Sequence, residues 1–567
     1  MNRAGKLARL IAALVVALGL GAATFGPELT ASAGPAWQVA WTSPMDLNIG
    51  YTQNSTVRDI ATVPVSATSI ELTFSNLWSK TPTTFIGVTV GVVQSGVNVV
   101  PGTFRPVTFN AGSRQVTMAP GAQVTSDPVA MIVRAGETIS VSIAVSGWAV
   151  VSAHTCCYGN TDTWATSNNV GNLTTSPTAT GFNPLLTGAY IRWLTGISVA
   201  GSPAIGSIVA FGDSITDGYG YTNNGFSWVT ALQRRISLLP PDQQVSVVNE
   251  GIAGNTIAAF PPRTSYEETS GGLAGVTRFS TDALAWPGVR DVLVLLGTND
   301  IWFGAGGLGK PVPPYGTPLS IEGAMRQIIV QAHAKHVKIY GITLLPRATS
   351  TAADHDQPEY WGPQEQAVLQ AVNTWMLSGT SGFDGVIDLG AVMGDVYNGA
   401  CSPTVPFAPY FNPDHLHPNV AGETAIGDAI STALFGLAQA PQIPQLVSVT
   451  PTAGCAAART AATVLAAGTA PGTTTTTSTT STVPATTTTK PPVGLLSRVD
   501  SSKYLWLALA LTMLVAILSA RRRQLRRRAE ARRRALRPTN YPRVPPPAPP
   551  RRSPGSPPAP KRQPPRR

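Results

Sequence analysis

Ser214 in "FGDSITDG" and the pair Asp414 and His417 in "NPDHLHPN" are residue types that do chemistry together. A serine hydroxyl is a weak nucleophile until a base takes its proton, and an imidazole suits that task near neutrality. The imidazole works best when a carboxylate holds its tautomer and orientation. Asp414 and His417 stand three residues apart, a spacing that can put both side chains on one turn. Two further stretches offer hydrogen-bond donors: the backbone N–H of Gly254 in "NEGIAGNT" and the side-chain amide of Asn299 in "LLGTNDI". With the N–H of Ser214, they would form an oxyanion hole for a carbonyl oxygen under attack. Each stretch alone has a plain structural reading. Ser214 can be the polar end of a strand, Gly254 a turn glycine and Asn299 a helix cap. Asp213 and Asp217 read as carboxylates favouring the positive end of a helix. The G-x-S-x-G elbow of another class of serine site is absent around Ser214.

The elements around these stretches place them in common. "GSIVAFG", "VSVVNEG" and "DVLVLLG" are short apolar runs, and each leads directly into one of the candidate stretches. Helical patterns lie around Trp228 to Leu239, Ile321 to His336, Gln364 to Leu377 and Val420 to Phe435. The strands "VKIYGITLLP" and "GVIDLG" fall between them. Strands alternating with helices predict a parallel sheet covered on both faces, whose ligands gather at the carboxyl ends of the strands. Ser214 lies just beyond one such end.

Before this region the period changes. "SIELTFSN" alternates Ile70, Leu72 and Phe74 with Glu71, Thr73 and Ser75, and "ETISVSIAVSG" alternates Ile139, Val141, Ile143 and Val145. Period-two runs split by Gly, Pro, Asn and Asp predict an all-β sandwich over residues 34–200, followed by the α/β domain over 201–440. A basic start, an apolar run and "ASA" at residues 31–33 read as a signal peptide over 1–33. Residues 441–503 read as a linker with a Thr-rich stalk, "TTTTTSTTSTVPATTTTKPP". Residues 504–520 carry no charge and read as a single transmembrane helix. The Arg-rich flank predicts a cytoplasmic tail over 521–567 and an ectodomain outside the cell membrane.

The net charge of +11 is misleading as a whole. The tail alone holds 17 Lys and Arg against one Glu, so the remainder of the chain is net acidic and has no basic footprint for nucleic acid. Of four cysteines, Cys156, Cys157, Cys401 and Cys455, a disulfide between Cys401 and Cys455 is expected in an oxidising compartment. His415, His417 and Asp414 could alternatively share a metal, though no other His or Cys cluster supplies further ligands. The segment "IWFGAGGLGKPVPPYGTPLS" after Asn299 is a candidate substrate loop, with Trp302, Phe303 and Tyr315 available to stack on a sugar or line an acyl pocket.

The four blocks "FGDSITDG", "NEGIAGNT", "GTNDI" and "DHLHPN", in this order and each at an element end, resemble those of the SGNH or GDSL hydrolases. The upstream "WTSPMD" and "TFSNLWS" are similar to a secreted bacterial branch that joins a β-sandwich to the hydrolase domain. The likeness covers roughly residues 37 to 437. It implies a flavodoxin-like three-layer α/β hydrolase domain. It also implies Ser214 as nucleophile, His417 as general base and Asp414 as its orienter. The oxyanion hole would be formed by Ser214, Gly254 and Asn299, with no metal or organic cofactor. The expected activity is serine esterase chemistry on an ester of a carbohydrate, lipid or small molecule, with an envelope or external polysaccharide among the expected substrates. Acyl transfer to an envelope glycan by the same residues, and a non-catalytic envelope-binding role, are the alternatives.

Overall fold

The computed structural model describes residues 36–155, 163–188, 190–220, 226–258, 271–304, 316–347, 361–395, 402–443 and 463–465. Strand and helix labels below refer to the α/β domain. Its sheet contains β1 (Ser207–Gly212), β2 (Ser246–Gly251), β3 (Val289–Leu295), β4 (Lys338–Ile342) and β5 (Gly385–Ile387), in the order β2-β1-β3-β4-β5. All these pairs are parallel. This is the flavodoxin-like order, whose switch point lies beside the first strand. A short strand β6 (Thr463–Leu465) adds antiparallel to β5, within the stretch read from sequence as linker.

Every residue of β1 is buried, because both of its faces are covered. Ile208 and Ala210 join a core with Trp228, Leu232 and Ile426 on one side of the sheet. Val209 and Phe211 join a second core with Phe279, Ile321 and Ile328 on the other. The first side carries helices α2 (Trp228–Ile236) and α8 (Val420–Ala429); the second carries α3 (Gly275–Asp282), α5 (Pro318–Ala334) and α6 (Pro363–Leu377). Two shorter elements at the strand ends, α1 (Ser214–Asp217) and α4 (Thr298–Gly304), carry candidate residues, and a third short turn, α7, spans Gly390–Met393.

α2 ends at Ile236 rather than Leu239, and α5 and α8 also differ from the spans read from periodicity. α5 starts earlier, at Pro318, because Thr317 and Ser320 form a reciprocal capping box with Pro318 in the first turn. Its buried residues Ile321, Ala324, Met325, Ile328, Ile329 and Ala332 form one stripe facing the sheet. α8 stops at Ala429 rather than running to Phe435. Ile430 is extended there, and the Arg235 guanidinium takes the Gly427 and Ile430 carbonyls at 2.6 and 2.7 Å. Residues Thr432–Phe435 follow as a separate 3-10 turn.

The described residues before Ala200 are all-β, as their period-two pattern predicts. One sheet orders Gln38–Thr42, Leu194–Ala200, Ala67–Ser75 and Val129–Val133; a second is centred on Thr56–Val63, Glu137–Val145 and Thr83–Ser95; a third joins Leu47–Gln53, Trp148–Thr155 and Tyr190–Arg192. Ile70, Leu72 and Phe74 meet Ile139, Val141 and Ile143 in a single core, all completely buried.

The sandwich and the α/β domain are continuous. Val39 donates its N–H to the Pro287 carbonyl at 2.8 Å and accepts from the Ser207 hydroxyl at 2.6 Å. The Thr42 hydroxyl donates to the Asn249 carbonyl at 2.9 Å. Val39 itself belongs to one of the α/β cores. Among the described residues no helix is long and apolar enough to cross a membrane. The expected signal peptide, the segment 504–520, the tail, Tyr315 and all four cysteines, Cys401 and Cys455 included, lie outside the described residues.

Candidate active site

Ser214 follows directly on the carboxyl end of β1. Asp213 caps the short turn α1, its carboxylate accepting the Ile215 N–H at 3.0 Å. Ser214 is therefore the first residue of the turn, where amides have no partner within the helix. Its Oγ lies 2.8 Å from Nε2 of His417. On the opposite edge of that ring, Nδ1 lies 2.6 Å from Oδ2 of Asp414. The second carboxylate oxygen, Oδ1, accepts the N–H groups of Leu416 and His417 at 3.1 and 3.0 Å. One carboxylate thus shapes the loop and orients the imidazole. With Nδ1–H donated to Asp414, Nε2 is left to accept the serine proton.

Burial alone would raise the Asp414 carboxyl, but the hydrogen bond and charge of His417 and the two backbone N–H groups outweigh it and hold it below its ordinary value. The Tyr219 ring flanks the imidazole with centroids 4.6 Å apart. Ser214 and His417 are each only 8% exposed, so the reacting hydroxyl has little competing water.

Gly254 sits in a tight turn closed by the Asn255 N–H on the Ile252 carbonyl at 3.0 Å, and its φ of 78° is in the left-handed region that favours glycine. The Asn299 amide, in α4 beyond β3, donates to the Asn255 carbonyl at 3.0 Å. That bond joins the two donor-bearing segments and leaves the second amide hydrogen for another acceptor. Asp300 strengthens the join, its carboxylate accepting the Ile257 and Ala258 N–H groups at 2.8 Å each. Burial pushes the Asp300 carboxyl up to about 7 and the Asp213 carboxyl up to about 7.

The structure thus brings Ser214, Asp414 and His417 into one hydrogen-bonded chain and ties Gly254 to Asn299. His415 stays outside this chain: its side chain is exposed and its backbone is left-handed, with φ 53°. Both ring nitrogens of His417 already face partners, and among the described residues no group of three or more His, Cys, Asp or Glu could hold a metal ion. Trp302 and Phe303 pack against each other, with ring centroids 4.9 Å apart and Phe303 buried. A buried Phe303 does not offer an open platform for stacking on a sugar.

Reading the sequence misses the residues that hold the site together. Arg278 of α3 is fully buried. Its Nη2 donates to the carbonyls of Gly212 and Glu250 at 3.0 Å each, and its Nε to Oδ1 of Asn255 at 3.1 Å. It spans the ends of β1 and β2 and reaches the Gly254 turn. Asn249 on β2 donates to the Thr216 carbonyl at 2.8 Å. Asp217 lies within the first turn of α1, as read from the sequence, but it also closes that turn and meets His154 of the sandwich. The only sequence signal for Arg278 is its spacing from Asp282, four residues later on the same helix, which it contacts at 3.3 Å.

Residues 210–425 match the GDSL-like lipase/acylhydrolase family. An acetylxylan esterase from Geobacillus stearothermophilus is 21% identical, over 39% of this chain and 89% of that one, with a TM-score of 0.27. The native aryl esterase of M. smegmatis is 19% identical, over 41% of this chain and 99% of that one, with a TM-score of 0.29. A search of curated proteins finds no match. Residues 210–425 thus carry a GDSL-like lipase/acylhydrolase domain, which supports a carboxylic ester hydrolase.

Proposed function

We propose that the protein is a serine esterase that works through an acyl-enzyme on Ser214. The observation that carries this reading is the continuous chain from the Asp414 carboxylate through His417 to the Ser214 hydroxyl. His417 takes the serine proton as Oγ attacks the ester carbonyl. The tetrahedral oxyanion is met by the N–H groups of Ser214 and Gly254 and by the Asn299 amide. His417 then returns the proton to the departing alcohol oxygen, and the acyl group stays on Ser214 as an ester. A water molecule, deprotonated by the same imidazole, attacks that ester and releases a carboxylic acid and free Ser214. We further propose that the enzyme is exported, held at the cell membrane by residues 504–520, and acts outside on an ester of a carbohydrate, lipid or small molecule. The sequence patterns at both ends support that location.

The test is a series of p-nitrophenyl esters of rising chain length, run beside acetylated polysaccharides, on wild type and Ser214→Ala. The expected result is turnover by wild type and background rates for the variant, with unchanged circular dichroism. A folded Ser214→Ala protein with wild-type turnover refutes the nucleophile. The chain-length preference assigns the acyl pocket.

A further inference from the structure

The segment that carries Ser214 is a single helical turn of four residues. A turn this short has no stability of its own and takes its position from whatever holds it. Its first residue is fixed by the Asp213 cap. Its backbone is fixed by Asn249, and by β2 at Gly251, where a Cβ would collide with the Asp217 amide. Its last residue, Asp217, carries a carboxylate at the end of the turn. That side chain is only 4% exposed, and its Oδ1 lies 3.3 Å from Nε2 of His154, itself 6% exposed.

His154 does not belong to the hydrolase domain. It stands on the strand Trp148–Thr155 of the sandwich, paired with Ile191. The loop before Leu47–Gln53 fixes the end of that strand. Asp46 donates its N–H to the Ala153 carbonyl at 3.0 Å and accepts the Thr155 N–H on Oδ1 at 2.9 Å. Burial raises the Asp46 carboxyl to about 6, opposed by the charge of His154. The backbone that carries the imidazole is therefore held by two strands and a loop of the sandwich, and the ring meets the turn three residues from the nucleophile.

We propose that His154 is a positioning residue for Ser214, so that the β-sandwich completes the active site through the contact with Asp217. The inference rests on the reading of Ser214 as nucleophile. A bond between two buried groups makes the turn's orientation depend on the sandwich strand. Losing it removes one hydrogen-bond partner of a buried carboxylate and lets the turn shift relative to His417. A displacement of about 1 Å at the reacting atom costs up to about 100-fold in rate. The substrate does not touch His154 in this scheme, so KM is unaffected.

The experiment uses the full chain and compares wild type with His154→Ala, His154→Gln and Asp217→Asn. It reads kcat and KM for p-nitrophenyl acetate and the rate at which a fluorophosphonate labels Ser214. The expected result for His154→Ala is a fall in kcat of about 10- to 100-fold, a proportional fall in labelling rate and KM within about twofold. His154→Gln can place an amide N–H near the former Nε2 and should recover most of both rates. Recovery by glutamine separates positioning from mere packing. If His154→Ala fails to fold, Asp217→Asn reads the same contact and should lower kcat several-fold at constant KM. Wild-type kcat and labelling in folded His154→Ala or Asp217→Asn overturn the inference, as does a loss that glutamine leaves unrepaired. A wild type that is active but unlabelled at Ser214 sinks the nucleophile assignment itself, and this inference with it.

Discussion

The two segments that meet at the Ser214–His417 hydrogen bond are built in opposite ways. The loop carrying Asp414 and His417 is held largely by its own neighbours. Asp414 bonds the backbone of Leu416 and His417, Asn412 and His417 bond through their backbones, and the Asn412 amide reaches the Pro418 carbonyl. Asn419 then caps α8 through the Ala421 and Gly422 N–H groups. The turn carrying Ser214 has the local Asp213 cap but is otherwise held from a distance: by Asn249 on β2, Arg278 on α3 through the Gly212 carbonyl, and His154 on the sandwich. The base is thus prearranged by local chemistry, while the nucleophile depends on tertiary packing. Damage to packing far from the site should displace Ser214 before it displaces His417.

Substitutions can break or sharpen this contrast. The largest effect is expected for Asp414→Asn, which removes the anion that holds the imidazole in its working tautomer. Turnover should fall by about 10⁴-fold, measured as kcat on a p-nitrophenyl ester with folding checked by circular dichroism. A fall of less than tenfold would mean that the loop holds His417 without the carboxylate. Next comes Asn299→Ala, which removes one donor and unties Asn299 from Asn255. The expected loss is about 100- to 1,000-fold in kcat, with KM little changed.

A smaller effect separates the segments by pH. Burial raises Asp213 to about 7, so its contribution to stability is complete below its ordinary value of 3.8 and is lost as pH rises through about 7. Asp414 is depressed, so its contribution is present above 3.8 and is lost as pH falls through its lowered value. Melting temperatures should therefore show Asp213→Asn gaining on wild type between pH 4 and 8, since asparagine keeps the capping oxygen without a charge to bury. Asp414→Asn should instead show its largest deficit at neutral pH and converge with wild type in acid. Parallel curves for the two variants would remove the contrast. The smallest effect belongs to His415→Ala, expected within about twofold of wild-type kcat because its exposed side chain lies outside the hydrogen-bonded chain.

What was legible in the sequence follows the same division. Asp414 and His417 are three residues apart, so their partnership can be read from spacing. The buried strands are legible because "GSIVAFG" and "DVLVLLG" are continuous apolar runs, and the sandwich because Ile70, Leu72 and Phe74 alternate with polar residues. Arg278, Asn249 and His154 were illegible as parts of the site. Each acts on a segment remote in sequence, and nothing in its own neighbourhood differs from an ordinary helix or strand. The boundaries of α5 and α8 were missed for a similar reason. One depends on a serine–threonine cap rather than on apolar period, the other on an arginine from a different helix.

The sandwich strand Gln38–Thr42 also has a consequence for the order of folding. Val39 bonds Ser207, 168 residues further along the chain, and Ser43 accepts from Thr195, 152 residues further along. Among the described residues its sheet partner is Leu194–Ala200, so during synthesis this strand waits until the last strand of the sandwich has emerged. Its apolar face and open edge remain available for wrong pairing throughout that interval. Closure then forms the sandwich and the seat for the α/β domain in one event, just as β1 becomes available. Such long-range closure makes folding slow relative to a domain of local contacts. The vulnerable species in this protein is accordingly the nascent chain that ends short of residue 200, in which the N-terminal strand waits unpaired.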